Sequence, residues 1–286
     1  AIRQHLASAS KGVPGDHALH VCFEATGCYP RKLKKACGEA DILFTTLNPH
    51  KVKKYAESIS IAAKTDSIDA KAIRLFAEHR KPSPDLELSP GQEEMRELAN
   101  LRRLLVTTKV RLQGFLESAG CSAARLEARQ MLRSTETRLD SVTKKLMSLR
   151  DSDPLRKAIC GELAKIAGIG DLTAILIVAL VPELGTLGRR RSAALAGLAP
   201  YAHESGDYKG LRYIRGGRFN VRLALYMATL SAAHYNHVLK ALYDKELREG
   251  KPKKVALVCV MRKLFAHMDR VAAKAIKSYE ANAKSA

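Results

Sequence analysis

Apolar and polar positions fall into three successive rhythms along the 286 residues of the chain. Near the start, short apolar runs alternate with helical stretches. Leu19 to Phe23, closed by Glu24 and Gly27, predicts a buried strand. Pro30 opens a helix through "YPRKLKKACGEA", at the position where its missing N–H costs least. "DILFTTLNP" predicts a second strand ended by Asn48-Pro49, and "HKVKKYAESI" a short basic helix. This βαβα order implies a parallel sheet and an α/β domain. The Pro-rich tract "KPSPDLELSPG", Lys81 to Gly91, then breaks the pattern. Beyond it Leu98, Leu101, Leu105, Leu112, Phe115 and Ala119, and later Leu139, Val142, Leu146 and Leu149, keep a three–four spacing on either side of Gly120-Cys121. That spacing predicts an antiparallel coiled-coil hairpin, packing on itself or on a second copy. From Pro154 onward helical segments alternate with Gly-rich turns. They end in "KKVALVCVMRKLFAHMDRVAAKAIKSY", one basic amphipathic helix or a pair. The expected domains are therefore 1–82 (α/β), 89–152 (coiled coil) and 154–286 (all-α).

Charge adds a partner to this outline. Lys and Arg number 49 against 29 acidic residues, a formal net charge of +20 spread along the chain. Solubility needs far less, so a polyanion is expected to bind, nucleic acid first. A hydrophobic fraction of 46% excludes a disordered tail. Cys22, Cys28, Cys37, Cys121, Cys160 and Cys259 form no CxxC pair and no zinc-finger spacing, and scattered thiols suit a reducing cytoplasm. No signal peptide opens the chain. The longest apolar run, Leu172 to Pro182, is too short to span a bilayer and reads as a buried helix.

Against that charge, "AAKTDSIDAKAIRLFA" sets Asp66 and Asp69 three residues apart at a helix start. One reading is capping, with Thr65, Asp66 or Ser67 as N-cap and Asp69 as the acidic partner of a capping box. The other is metal binding. Residues i and i+3 share a helix face, about 5–6 Å apart, and two carboxylates there repel unless a cation lies between them. Mg²⁺ takes such oxygen ligands and shares them with phosphates. Glu24 ends a strand, and ligands bind beyond the carboxyl ends of strands in open α/β sheets. Glu24, Asp66 and Asp69 could meet in one crevice. A two-metal site there would clamp the attacking and leaving oxygens of a phosphodiester.

"LAKIAGIGDLTAILIVAL" has the shape of a helix-hairpin-helix element. Gly168-Ile169-Gly170 turns the chain, and Asp171 or Thr173 caps a helix whose first amides can hold phosphate without reading sequence. An ordinary αα-hairpin turn has the same pattern. Further on, Lys209, Arg212, Arg215, Arg218 and Arg222 crowd around Gly216-Gly217, as a phosphate platform or in part as solvated surface. Tyr201, Tyr208 and Tyr213 are interleaved, for base stacking or for packing. Ser205, in "HESGDYKG", reads from spacing as a turn residue, with no Gly-x-Ser-x-Gly elbow around it. His203 and Glu204 read as polar loop residues.

"FEATGCY" followed by "AKTDSIDAKAIRLFA" resembles the DEDD nuclease domain of the insertion-sequence 110 family of bacterial transposases, a domain shared with the related pilin-gene DNA invertases. The resemblance implies a fold like ribonuclease H and Holliday-junction resolvases, with four acidic residues that bind Mg²⁺. Glu24 matches the second of these, Asp66 the third and Asp69 the fourth. The first, expected on a strand upstream of the Glu24 strand, finds no match. Asp16 in "PGDH" reads as a loop residue, and the start of the domain is expected to be missing. "GLAP…ESG…G…GG…VR.ALY.A" resembles the family's C-terminal transposase domain. This implies that Ser205 is a nucleophile linking covalently to DNA; Arg215 and Arg218, among the neighbouring cations, could then neutralise the phosphate. It also implies a structured guide RNA, a homo-oligomer (dimer or tetramer) joined through the coiled coil, and work at the nucleoid in the bacterial cytoplasm.

Three functions compete. The first is a DNA transposase-recombinase using Ser205 together with Mg²⁺ on the acidic residues. The second is a metal-dependent DNA nuclease or Holliday-junction resolvase without a covalent intermediate. The third is a non-catalytic nucleic-acid-binding scaffold whose carboxylates are caps. A protein–DNA adduct lost in Ser205→Ala would mark the first, and free ends depending only on Asp66 and Asp69 the second.

Overall fold

The computed structural model of the chain describes residues 4, 6, 8, 9, 19–25, 30–59, 65–202, 204–205, 208–210 and 212–285. It divides into two compact units, 1–87 and 88–286, and the division falls inside the Pro-rich tract.

In the first unit, strand β1 (His20–Glu24) pairs in parallel with β2 (Leu43–Leu47), with His20 opposite Leu43 and Glu24 opposite Leu47. Parallel strands need a crossover, and helix α1 (Pro30–Glu39) supplies it, starting on its proline. Alternation along β1 decides what each face meets. Leu19, Val21 and Phe23 join Ala36, Cys37, Ile42 and Phe44 in one cluster, while Cys22 joins Leu47, Val52, Tyr55, Ile73 and Phe76 in another. The second cluster is built from α2 (Pro49–Ser58), capped by Asn48, and α3 (Asp66–Arg80), which packs against β1. After α3 the chain returns along β2. Asp85 donates its amide to the Phe44 carbonyl (2.8 Å), and its carboxylate accepts from the amide and hydroxyl of Thr46 (3.1 and 2.6 Å).

The second unit is mostly helical. Helices α4 (Pro90–Ser118) and α5 (Ser122–Asp151) lie antiparallel, joined through residues 119–121. The Lys109–Glu136 ion pair and the Arg102–Thr143 hydrogen bond set their register. The predicted seam is only partly buried. Val142 and Leu146 are in the core, whereas Leu101 and Phe115 are exposed. Next come α6 (Pro154–Ala164), α7 (Asp171–Leu180) and α8 (Gly188–Leu195), then α9 (Phe219–Tyr235), α10 (His237–Arg248) and α11 (Lys253–Ser285). The apolar run read as a buried helix is α7. The C-terminal stretch is one helix of 33 residues. It serves as the spine of the unit and packs on α6, α8, α9 and α10. Leu163, Ile175, Ile177, Leu225, Phe265 and Met268 form the centre of one continuous core.

The expectation of an all-α C-terminal domain needs correction. Between α8 and α9 the chain makes an antiparallel β excursion. Strand β3 (Pro200–Tyr201) pairs with β6 (Tyr213–Ile214), and β4 (Glu204–Ser205) with β5 (Tyr208–Lys209). Runs this short carry no alternation signal, so they read as loop from sequence.

Candidate active site

The acidic residues of the first unit stand on two packed elements. Glu24 is the last residue of β1 and half-buried, two positions beyond Cys22 and so on the same face of the strand. Asp69 lies four residues before Ile73 and seven before Phe76, the α3 residues in the cluster that Cys22 joins. Spacings of four and seven return to one helix face, so the Asp69 side of α3 is the side that meets the Cys22 face of β1. Asp66, three residues earlier, extends it.

Local chemistry decides what these carboxylates do for the fold. Thr65 is the N-cap of α3, and its hydroxyl accepts from the Ile68 amide at 3.3 Å. Asp66 is then the first helical residue and Asp69 the fourth. The capping-box position falls on Ile68, which has no carboxylate to return. Of the three capping candidates, Thr65 has the role, and Asp69 does not act as a box partner. Among the described residues none of Glu24, Asp66 and Asp69 has an ion-pair partner, and both aspartates are exposed. Negative charge suits a helix start, but nothing in the packing requires these carboxylates.

Their oxygen-only donor set suits a hard divalent cation such as Mg²⁺. Among the described residues no three acidic, His or Cys side chains are gathered closely enough to hold a metal. The segments leaving Glu24 and entering Thr65, 26–29 and 60–64, lie outside the described residues, as does Asp16. Burial, then the charge of Asp85, pushes the Cys22 thiol up. Asp85 was not singled out from the sequence, and its only signal was a Pro-flanked acid. It clamps the boundary tract to β2, with Lys34 3.6 Å away.

In the helical unit the glycine turns are structural first. Gly168, at φ +94°, lies against Ala232 of α9, where a Cβ would strike backbone. Gly170 precedes α7 with no side-chain cap and with open space where a Cβ would stand. Gly197 and Gly217 touch backbone to backbone, both at positive φ. The predicted cations divide. Arg218 donates to Glu183 through both terminal nitrogens (2.8 and 2.5 Å) and to the Leu180 carbonyl. Burial alone would raise the Glu183 carboxyl, but the hydrogen bonds and charge of Arg218 outweigh it and hold the group below its ordinary value. Arg222 reaches the Gly216 carbonyl at 2.8 Å and the carbonyls of Ala196 and Gly197. Arg215 lies over the exposed Tyr201 ring at 4.9 Å, and Tyr213, opposite Tyr201 in register, is exposed too. Arg212 lies just before β6 and Lys209 on β5; Ser205 lies on β4, opposite Tyr208.

Two family models match the chain. A DEDD-type transposase model of the IS110 family covers residues 4–120, and a model described as "Transposase IS116/IS110/IS902 family" covers residues 160–244. Residues 4–120 are thus an IS110-family DEDD transposase domain, residues 160–244 match a transposase model of the same family, and the matches support an enzyme that acts on DNA. It is also similar to curated relatives named pilin gene-inverting protein. That of Moraxella bovis is 27% identical over 257 residues, covering 86% of this chain and 78% of the relative. That of Moraxella lacunata is 26% identical with the same coverage.

The match over residues 4–120 also corrects one expectation. It assigns the chemistry to an acidic motif of the nuclease type, which overturns the reading of Ser205 as a nucleophile that holds DNA covalently. The physical reason is economy. An acidic metal site generates its own oxygen nucleophile and stabilises the leaving oxygen, so it needs no hydroxyl from the protein.

Proposed function

We propose that the chain cleaves DNA phosphodiesters by metal-dependent chemistry at Glu24, Asp66 and Asp69, in a ribonuclease H- or resolvase-like domain, without a covalent protein–DNA intermediate. The observation that carries this reading is the freedom of the two aspartates. Thr65 caps α3, so Asp66 and Asp69 stand on the helix start with no capping role and, among the described residues, no ion-pair partner. Glu24, on the β1 face turned toward α3, is the natural third ligand. Bound Mg²⁺ would activate an attacking oxygen and neutralise the leaving one. The carboxylates hold the cation and orient the scissile phosphate. Lys209, Arg212 and Arg215 with the uncapped start of α7 at Gly170, reached through the Gly168 turn, hold the backbone as a helix-hairpin-helix and platform would. Arg218 and Arg222 shape that platform from within.

The finer organisation belongs to the same proposal. Residues 89–152 act as a coiled coil and 154–286 as the substrate-holding domain. Val110, Phe115, Leu126 and Met131 are exposed on the hairpin, an apolar surface that a second copy would cover in a dimer or tetramer. A structured guide RNA supplies base specificity by pairing, in keeping with a protein whose excess charge reads backbone rather than bases. No described helix is long and apolar enough to cross a membrane, consistent with work at the nucleoid in the cytoplasm.

The test is cleavage of end-labelled linear and branched DNA by protein made from its full reading frame, with Mg²⁺ or EDTA. Mg²⁺-dependent free ends, lost in Asp66→Asn and Asp69→Asn and retained in Ser205→Ala, are expected. A denaturation-stable protein–DNA adduct, or cleavage indifferent to both aspartates, would overturn the proposal.

A further inference from the structure

Arg189, Arg190 and Arg191 open helix α8, directly after its first residue Gly188. All three are exposed, and among the described residues none of their guanidinium groups has a hydrogen-bond or ion-pair partner. This differs from Arg156, Arg218 and Arg222, whose donors are satisfied within the protein.

The placement opposes local physics. A helix N-terminus carries partial positive charge, and cations in the first turn are unfavourable there. The fold compensates from a distance. Asp269 of α11, only 3% exposed, accepts from the amides of Gly185 (2.8 Å), Leu187 (3.3 Å) and Gly188 (2.8 Å). Its carboxylate thus replaces the side-chain cap that α8 lacks. Ser192, buried on the same short helix, bonds back to the Arg189 carbonyl at 3.1 Å. The three arginines therefore stand on a pinned element. A rule broken locally and compensated by a buried charge is what a functional surface shows, whereas a merely solvated face has no need of it.

The surroundings point to the ligand. The far end of α8 meets the basic turn: the Arg218 amide donates to the Leu195 carbonyl, and Gly197 touches Gly217. Eight residues of helix span about 12 Å, so the arginines stand within one short helix of the turn that bears Arg215. No aromatic residue lies on α8 to stack a base, which favours backbone contact over single-strand reading.

We propose that Arg189, Arg190 and Arg191 form a phosphate clamp for the backbone of duplex DNA, held in place by the buried carboxylate of Asp269. The proposal rests on the DNA-acting reading above but not on its metal chemistry. It is tested by binding alone, in EDTA, on the full chain. The probe is a duplex of arbitrary sequence, with a single-stranded RNA of equal length beside it. Each phosphate contact contributes roughly 0.9 to the slope of log K against log salt. Replacing all three arginines with alanine should make that slope shallower by about 2–3, lower affinity equally for unrelated duplexes, and leave the thermal midpoint unchanged or raised. The triple lysine variant should keep the slope. An unchanged slope in the alanine variant, a loss confined to RNA, or a lysine variant as weak as the alanine one would each overturn the proposal. Loss of cleavage in Asp66→Asn with binding in EDTA intact would leave it standing.

Discussion

In the N-terminal unit the carboxylates of Glu24, Asp66 and Asp69 pair with no cation among the described residues. In the helical unit comparable groups are fully engaged. Asp269 binds three amides, Asp153 caps α6 and pairs with Arg156, and Glu183 grips Arg218. The cations show a parallel split, since Arg218 and Arg222 tie residues 180–222 together while Arg189 to Arg191 are exposed and, among the described residues, have no partner. A charged side chain already satisfied by the fold has little left to offer a ligand. One that the fold leaves unsatisfied, at a position where it costs stability or is not needed, is the better functional candidate.

The comparison breaks most sharply at the acidic pair. Asp69→Asn should lower single-turnover cleavage by about a thousandfold or more, as expected for loss of several kcal/mol of charge stabilisation. Its unfolding free energy should fall by only about 0.3–1 kcal/mol, the value of a charge near a helix start. A stability loss as large as that of a buried group would place Asp69 with the engaged carboxylates. Asp269→Ala should do the reverse and cost about 3 kcal/mol in urea unfolding, because buried amides lose their acceptor. Glu183→Gln is expected to cost about 1 kcal/mol, since the pair is partly exposed. Its pH dependence has a definite sign. The carboxyl is held below its ordinary value of 4.5, so its contribution is complete above that value and is lost as pH falls through the folded-state value. Glu183→Gln should flatten the acid limb of the stability curve. Thr65→Ala should cost about 1 kcal/mol, and a neutral result would return the capping role to Asp66.

Short-range features were legible in the sequence. The strand ending at Glu24, the proline-started helix and the parallel order follow from local pattern, and the structure carries them. The acidic motif was readable as a pair on one helix face, and Thr65 stood among its capping candidates. Long-range partnerships were not readable. Nothing near Arg218 announces Glu183, thirty-five residues away, and Asp269 reaches α8 from more than eighty residues downstream. The partial seam of the α4–α5 hairpin was also hidden, because spacing gives the face of a helix but not what covers it. Two-residue strands are too short to leave any rhythm.

The long helix α11 touches four earlier helices, and the core they share includes Phe265, Met268 and Ala275. During synthesis that core has no centre until the chain beyond residue 275 has left the ribosome, since contacts of such sequence separation close late. The acidic unit, a compact body with its own small clusters within residues 1–87, is free to fold long before then. A nascent chain would thus carry its candidate metal ligands in place while the arginine-rich part proposed to grip DNA is still unformed, an order of assembly that delays substrate capture until the long helix has emerged.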